Sequence, residues 1–137
     1  MNLTHPPEYV VKSLLEANAI GWTTYASLHP DQPDNSLCVY GTDGRTEGKI
    51  QFTGETVTKF GIQVRIRANE YLPGYAKAKV VHDLFDAVYK QQVTIDSSTY
   101  LVHAIHNSGN VFSLGLELAA TRRRLWTVNA VATITET

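Results

Sequence analysis

The stretch Phe60-Gly-Ile-Gln-Val-Arg-Ile-Arg-Ala68, continued by Asn69-Glu-Tyr-Leu-Pro-Gly-Tyr75 and by the residues from Ala76 to Lys90, changes its apolar rhythm in the middle. In the first part Phe60, Ile62, Val64, Ile66 and Ala68 alternate with Gly61, Gln63, Arg65 and Arg67, the period-two pattern of a strand with one buried and one wet face. From Ala76 the apolar set becomes Ala76, Val80, Val81, Leu84, Phe85 and Val88, which lines one side of a helix. Pro73 and Gly74 in the join predict a turn before that helix settles. A long strand leading into an amphipathic helix predicts a helix lying on a sheet, and no catalytic residue is needed to explain it.

Toward the N-terminus, Thr4 is predicted to cap a first helix, with Pro6 and Pro7 tolerated in its first turn and Glu8 near the positive dipole end. Its apolar stripe is Val10, Val11, Leu14 and Leu15, and it should stop between Asn18 and Gly21. Trp22 to Leu28 reads as a strand, His29-Pro-Asp-Gln-Pro-Asp-Asn-Ser36 as a long loop, and Leu37 to Gly41 as a short strand. The segment punctuated by Gly41, Gly44, Gly48 and Gly54 is expected to be mobile, with Lys49 to Phe52 pairing weakly. Toward the C-terminus, strands are predicted at Val93 to Ile95, Thr99 to His106 and Val111 to Leu118, the last two joined as a hairpin through Asn107-Ser-Gly-Asn110. Phe112, Leu114, Leu116 and Leu118 should share one face. A final strand, Arg124 to Thr135, puts Trp126, Val128, Ala130, Ala132 and Ile134 on one side. Two helices cannot cover both faces of so large a sheet, so the fold class is α+β: a mostly antiparallel sheet with two helices packed on one face, residues 1–137 forming a single domain. The other face must meet water or a partner.

Bulk composition narrows the function classes. A formal net charge of −1, with 43% apolar and 18% charged residues, gives no overall attraction to nucleic acid or to an anionic membrane. Cys38 alone can form neither an internal disulfide nor a thiolate cluster for zinc. The N-terminus lacks the basic and apolar regions of a signal peptide, and no stretch approaches the ~20 apolar residues that span a bilayer. A soluble protein made in the cytoplasm, without membrane contact, is the expectation.

Catalytic and metal chemistry is sparse. His103 and His106, three apart on a strand, point to opposite faces and cannot share a metal without a bulge. His82 and Asp86 at i,i+4 could orient an imidazole as a base, and a solvated helix face explains them equally well. Phosphate-loop, zinc-protease, Cys-x-x-Cys and nucleophile-elbow motifs are missing, and Cys38 reads as a small buried hydrophobe. The expectation is a protein that is not an enzyme and takes no cofactor or metal. The basic residues are more informative. Arg65 and Arg67 share one strand face, and Arg122, Arg123 and Arg124 open the last strand beside Trp126. Such a set can solubilise an edge, pair with carboxylates of a neighbouring subunit, or track a nucleic-acid backbone.

The strand Gly61-Ile-Gln-Val-Arg-Ile-Arg67, the run from Tyr71 and Gly74-Tyr-Ala-Lys-Ala78 into Val81-His-Asp-Leu84, and the late Arg122-Arg-Arg-Leu-Trp-Thr-Val-Asn-Ala130 together resemble the tail terminator, or tail completion, proteins of long-tailed bacteriophages, closest to the group known as phage minor capsid proteins. The resemblance covers the second half of the chain well and the first half in layout, while residues 29–59 align with nothing. It implies a small α+β protein of the virion's tail-neck region that forms a six-membered ring on the end of the tail tube, stops tube growth and presents a head-joining surface. The implied partners are other copies of the chain, the tail tube protein and a head-completion or neck protein, with DNA passing through the ring lumen without sequence-specific binding. Arg65, Arg67, Arg122, Arg123, Arg124 and Trp126 are the residues expected at subunit, tube or lumen contacts. The rival reading is a small nucleic-acid-binding domain that uses the arginine-bearing sheet face.

Overall fold

In a computed structural model of the chain, which describes residues 3–49, 56–116 and 123–137, two helices lie on one face of a curled seven-stranded sheet. The element order is α1 (Pro7–Ala17), β1 (Thr23–Ala26), β2 (Ser36–Lys49), β3 (Thr56–Ala68), α2 (Tyr71–Ala87), β4 (Gln91–Ile95), β5 (Ser98–Asn107), β6 (Phe112–Leu116) and β7 (Arg124–Glu136). The strands run in the order β1-β2-β3-β7-β5-β4, with β6 paired to β7, and every pairing is antiparallel except β1 with β2. The α+β class read from the pattern is the one observed. Because α1 packs on β1 and β2 and also on β4, at opposite ends of the strand order, the sheet must curl around the helical layer.

The period-two rows account for the core. Val64 pairs with Val39 on one side and Val128 on the other, Ile66 with Leu37 and Trp126, and all of these side chains turn toward the helices and are buried. From above, Val10, Val11, Leu14 and Leu15 of α1 and Ala78, Val81 and Phe85 of α2 close the same cluster. Lys77 links the layers by donating to the Ile20 carbonyl at 2.7 Å while its ammonium sits 5.2 Å from the Trp22 ring centroid; burial pulls its pKa down.

Several local expectations are corrected. Thr4 does not cap α1, whose cap position is Pro6; instead the Thr4 backbone N–H and hydroxyl donate to Glu136 at 2.9 and 2.7 Å, stapling the N-terminal segment to the end of β7. The helix after β3 starts at Tyr71, not Ala76, with Pro73 inside its first turn, where a missing N–H costs nothing. Its buried stripe is Gly74, Ala78, Val81 and Phe85, so Ala76 and Val80 face outward. β2 runs on through Gly41 and Gly44 to Lys49 instead of stopping at Gly41, and Gly61 is opposite because a Cβ there would lie 2.2 Å from Thr42 Oγ1. The weak pairing expected from Lys49 to Phe52 lies largely outside the described residues.

The hairpin predicted through Asn107–Asn110 does not form. β5 and β6 both run antiparallel to β7, β5 along its second half and β6 along its first, so the chain continues in one direction across the interruption. Ser108 N–H bonds the Asn129 carbonyl at 2.8 Å, which keeps the broken strand against β7. Asn-Ser-Gly-Asn suits a kink as well as a reversal, and nothing in those residues alone chooses between them.

Candidate interaction surface

The arginines expected at an interface divide into two groups. Arg67, at the end of β3, is 1% exposed, and its guanidinium donates to the carbonyls of Pro30, Pro33 (2.8 Å) and Asp34 (3.2 Å). Arg123 is also buried, and donates to the Asp31 carbonyl and to the carboxylates of Asp31 (2.8 Å) and Asp34 (3.2 Å). The loop between β1 and β2 is therefore wrapped on two buried cations whose planar donor forks match its backbone carbonyls. Asn35 adds a tie, its side-chain oxygen accepting from the Asn69 N–H at 3.0 Å. Burying a guanidinium costs several kcal/mol unless its donors are met; the loop meets Arg67 Nε and Nη2 and both terminal nitrogens of Arg123, while the buried Arg123 Nε has no hydrogen-bond acceptor among the described residues.

Arg65 and Arg124 are partly exposed. Arg65 lies over the Tyr40 ring, 5.1 Å from its centroid, and donates to Gln63 at 3.2 Å. It shares the face away from the helices with Cys38, Tyr40, Gln63, Thr127 and Asn129. Burial pushes the Cys38 thiol up and the Tyr40 phenol to about 12, so both stay neutral and Cys38 is no nucleophile. Arg122 lies outside the described residues. With Arg67 and Arg123 turned into the loop, the partly exposed arginines described on β3 and β7 are Arg65, on the face away from the helices, and Arg124, on the helix side, so they do not share one face.

Trp126 is 5% exposed and packs between two aromatics of α2, Tyr71 and Tyr75, at centroid distances of 5.0 and 5.1 Å. Gly74 makes this possible: a Cβ there would stand 2.9 Å from Trp126 Cδ1 and 3.0 Å from Ala68 Cβ. Tyr71, Tyr75 and the intervening Leu72 remain exposed on their outer sides. Next to Trp126, β6 is exposed along its whole length, including Phe112, Leu114 and Leu116. Gly115, at φ +86°, sits in the irregularity of its pairing with β7 and breaks the alternation expected for Phe112, Leu114 and Leu116. Reading Asn69 to Tyr75 as a turn hid this patch. Leu72, apolar yet on the opposite side of the helix from Val81, was the available signal, with Tyr71 extending the stripe of Gly74, Ala78 and Phe85 by one turn.

The histidines are tied into the chain. An irregularity between Val102 and Ala104 lets His103 reach Thr135 Oγ1 at 2.8 Å, on the face where His106 sits opposite Val131. The predicted separation to opposite faces thus fails for the reason that was its condition, a bulge. Among the described residues the group close enough to hold a metal ion is His82, Asp83 and Asp86, on the outer side of α2 with both carboxylates exposed. His82 Nε2 also lies 3.2 Å from the Gly109 carbonyl, and Asn107 donates to Asp86 at 2.8 Å, so the cluster fastens α2 to the kink between β5 and β6. No helix among the described residues is long and apolar enough to cross a membrane.

With this geometry in place, the comparisons bear on identity. In fold the chain is similar to a chain from the virion of a native gene transfer agent particle, with a TM-score of 0.51 at 12% identity over 88% of this chain and 84% of that one. A second solved structure aligns with a TM-score of 0.50 at 12% identity, covering 93% of this chain and 89% of the other. At such identities the likeness is one of fold. No curated protein sequence matches. The family model for bacteriophage tail terminator proteins, however, matches residues 12–136, from within α1 to the end of β7. The chain belongs to the bacteriophage tail terminator family.

Proposed function

We propose that this chain is a structural protein of the virion, acting by assembly and not by catalysis, and that it closes the end of a tail tube as a ring of six copies that also offers the head-joining surface. The observation that carries the reading is the family match from within α1 through α2 and all seven strands. Physical support comes from the sheet: a regular strand with an open edge and exposed apolar side chains is a liability in a free monomer and an asset in a closed ring, where head-to-tail contacts leave no sticky end. In this reading Arg65, Arg124 and Trp126 lie at or beside contacts. Arg67 and Arg123 act by shaping the loop from His29 to Asn35, and Arg122 extends the basic stretch next to it. The tail tube protein is the partner on one side of the ring, a head-completion or neck protein on the other, and DNA passes through the lumen without sequence readout. Synthesis is in the host cytoplasm and the final location is the tail-neck region.

Electron microscopy of tail tubes grown from the cognate tube protein, with and without the purified chain, tests this. The reading expects a six-fold ring on one tube end and arrested growth. Tubes that lengthen unhindered, with bare ends at saturating concentrations of the chain, would overturn it.

A further inference from the structure

We infer that β6, together with the Tyr71–Leu72–Tyr75 side of α2, is the surface on which a second copy of this chain docks; the inference rests on the ring reading and specifies which part of the molecule closes the ring.

Three observations converge. β6 pairs with β7 and with no other strand among those described, so its outer edge offers unmatched backbone donors and acceptors. Its exposed apolar side chains lie on both faces of the sheet: Phe112 is opposite Thr127, on the face away from the helices, and Leu116 is opposite Arg124, on the helix side. A flat surface resting on one face would leave the other uncovered, whereas an extended segment added along the edge, with the body of its own subunit behind it, covers both. On the helix side the exposure continues through Tyr71, Leu72 and Tyr75, joined to β7 by Trp126.

The area decides the occupant. The six side chains Tyr71, Leu72, Tyr75, Phe112, Leu114 and Leu116 are between 40% and 69% exposed. At ~200 Å² for a fully exposed large side chain they present roughly 600 Å² of largely apolar surface. Divided between the two faces of β6 and the adjoining side of α2, it is not one flat patch, and in total it is most of the ~800 Å² per partner that a stable interface buries. Permanent contacts between copies are the more apolar class, while a contact made once, on reaching a tube end, tolerates polar surface. A sister copy is also the partner present from synthesis onward.

The test compares the full-length wild-type chain with Leu72→Asp, Leu116→Asp and the double variant, and with Tyr89→Asp, an equally exposed apolar position beyond the far end of α2. Assembly is followed by sedimentation velocity and native mass spectrometry over a wide concentration range, and folding by circular dichroism. The wild type and Tyr89→Asp should assemble alike, and each patch variant should need ~30-fold or more higher concentration to do so, as for loss of one interface hot spot. Patch variants that fold and assemble like the wild type would overturn the assignment and leave the ring reading standing, as would a Tyr89→Asp variant equally impaired. A wild type that remains monomeric at every concentration and on tube ends would bring down both.

Discussion

Two neighbouring regions at one end of the sheet invert the usual association of regular structure with satisfaction. The loop from His29 to Asn35 has no secondary structure and almost no apolar content, yet its carbonyls and carboxylates are met by the buried guanidiniums of Arg67 and Arg123. β6 is a strand of the sheet, interrupted by one irregularity at Gly115, yet every residue in it is exposed and one edge has no described partner. The loop is anchored within the subunit through Arg67 and Arg123, whereas the outer edge of β6 has no described partner. Docking of a second copy is inferred from that unmatched edge and apolar area, not from irregularity of the backbone.

If that contrast holds, the largest loss of stability comes from the loop side. Arg67→Ala leaves the carbonyls of Pro30, Pro33 and Asp34 without these donors and empties a buried site, and should destabilise the fold by ~3 kcal/mol or more, at about 1–3 kcal/mol for each polar group left unmet, measured by urea unfolding. Arg67→Met, which fills the volume, should recover part of this while leaving the loop loose to proteolysis. Stability unchanged in Arg67→Ala would show that the loop is not held as described.

Next comes the platform under the apolar patch. Gly74→Ala pushes a Cβ into Trp126 and Ala68, and should cost ~1–3 kcal/mol as an overpacking change, opposite in sign to the gain of about 1 kcal/mol that Ala brings over Gly in an open helix. Quenching or shifting of Trp126 fluorescence in the folded variant would report the displaced ring.

These two sites also show why part of the molecule was legible from sequence and part was not. The strands β3 and β7 announce themselves because their faces differ: Ile62, Val64 and Ile66 must be inside, and Val128, Ala130 and Ala132 repeat the pattern. Arg67 obeys the same alternation, which is why it reads as a wet-face residue; its burial depends on backbone carbonyls of a loop thirty-odd residues earlier, and carbonyls carry no sequence signature. Gly74 reads as a breaker because glycine usually is one, whereas here the reason is the approach of Trp126, more than fifty positions away. The Asn107–Asn110 stretch fits a kink or a hairpin equally, and tertiary pairing with β7 selects the kink.

A smaller effect, at the opposite end of β7, gives the comparison an internal control. The Thr4 N–H, foremost, and the Thr4 hydroxyl hold the Glu136 carboxyl below its ordinary value of 4.5. A depressed folded-state pKa contributes stability above the unfolded value and loses it as pH falls through the folded one. Acidification through that window should therefore release the N-terminal segment, read by hydrogen exchange of residues near Thr4. Glu136→Gln should abolish the pH dependence of that release. The smallest effect on stability belongs to the patch itself: Leu72→Asp, at an exposed position, should change unfolding free energy by no more than ~0.5 kcal/mol.

The most direct measurement is amide hydrogen exchange on the free chain and on the chain assembled at tube ends. Amides of Phe112 to Leu116 and of the first turns of α2 should gain protection on assembly, while those of His29 to Asn35, a loop whose carbonyls and carboxylates already accept from Arg67 and Arg123 of the same subunit, should change little. Exchange along β6 as fast in the assembled ring as in the free chain would contradict it.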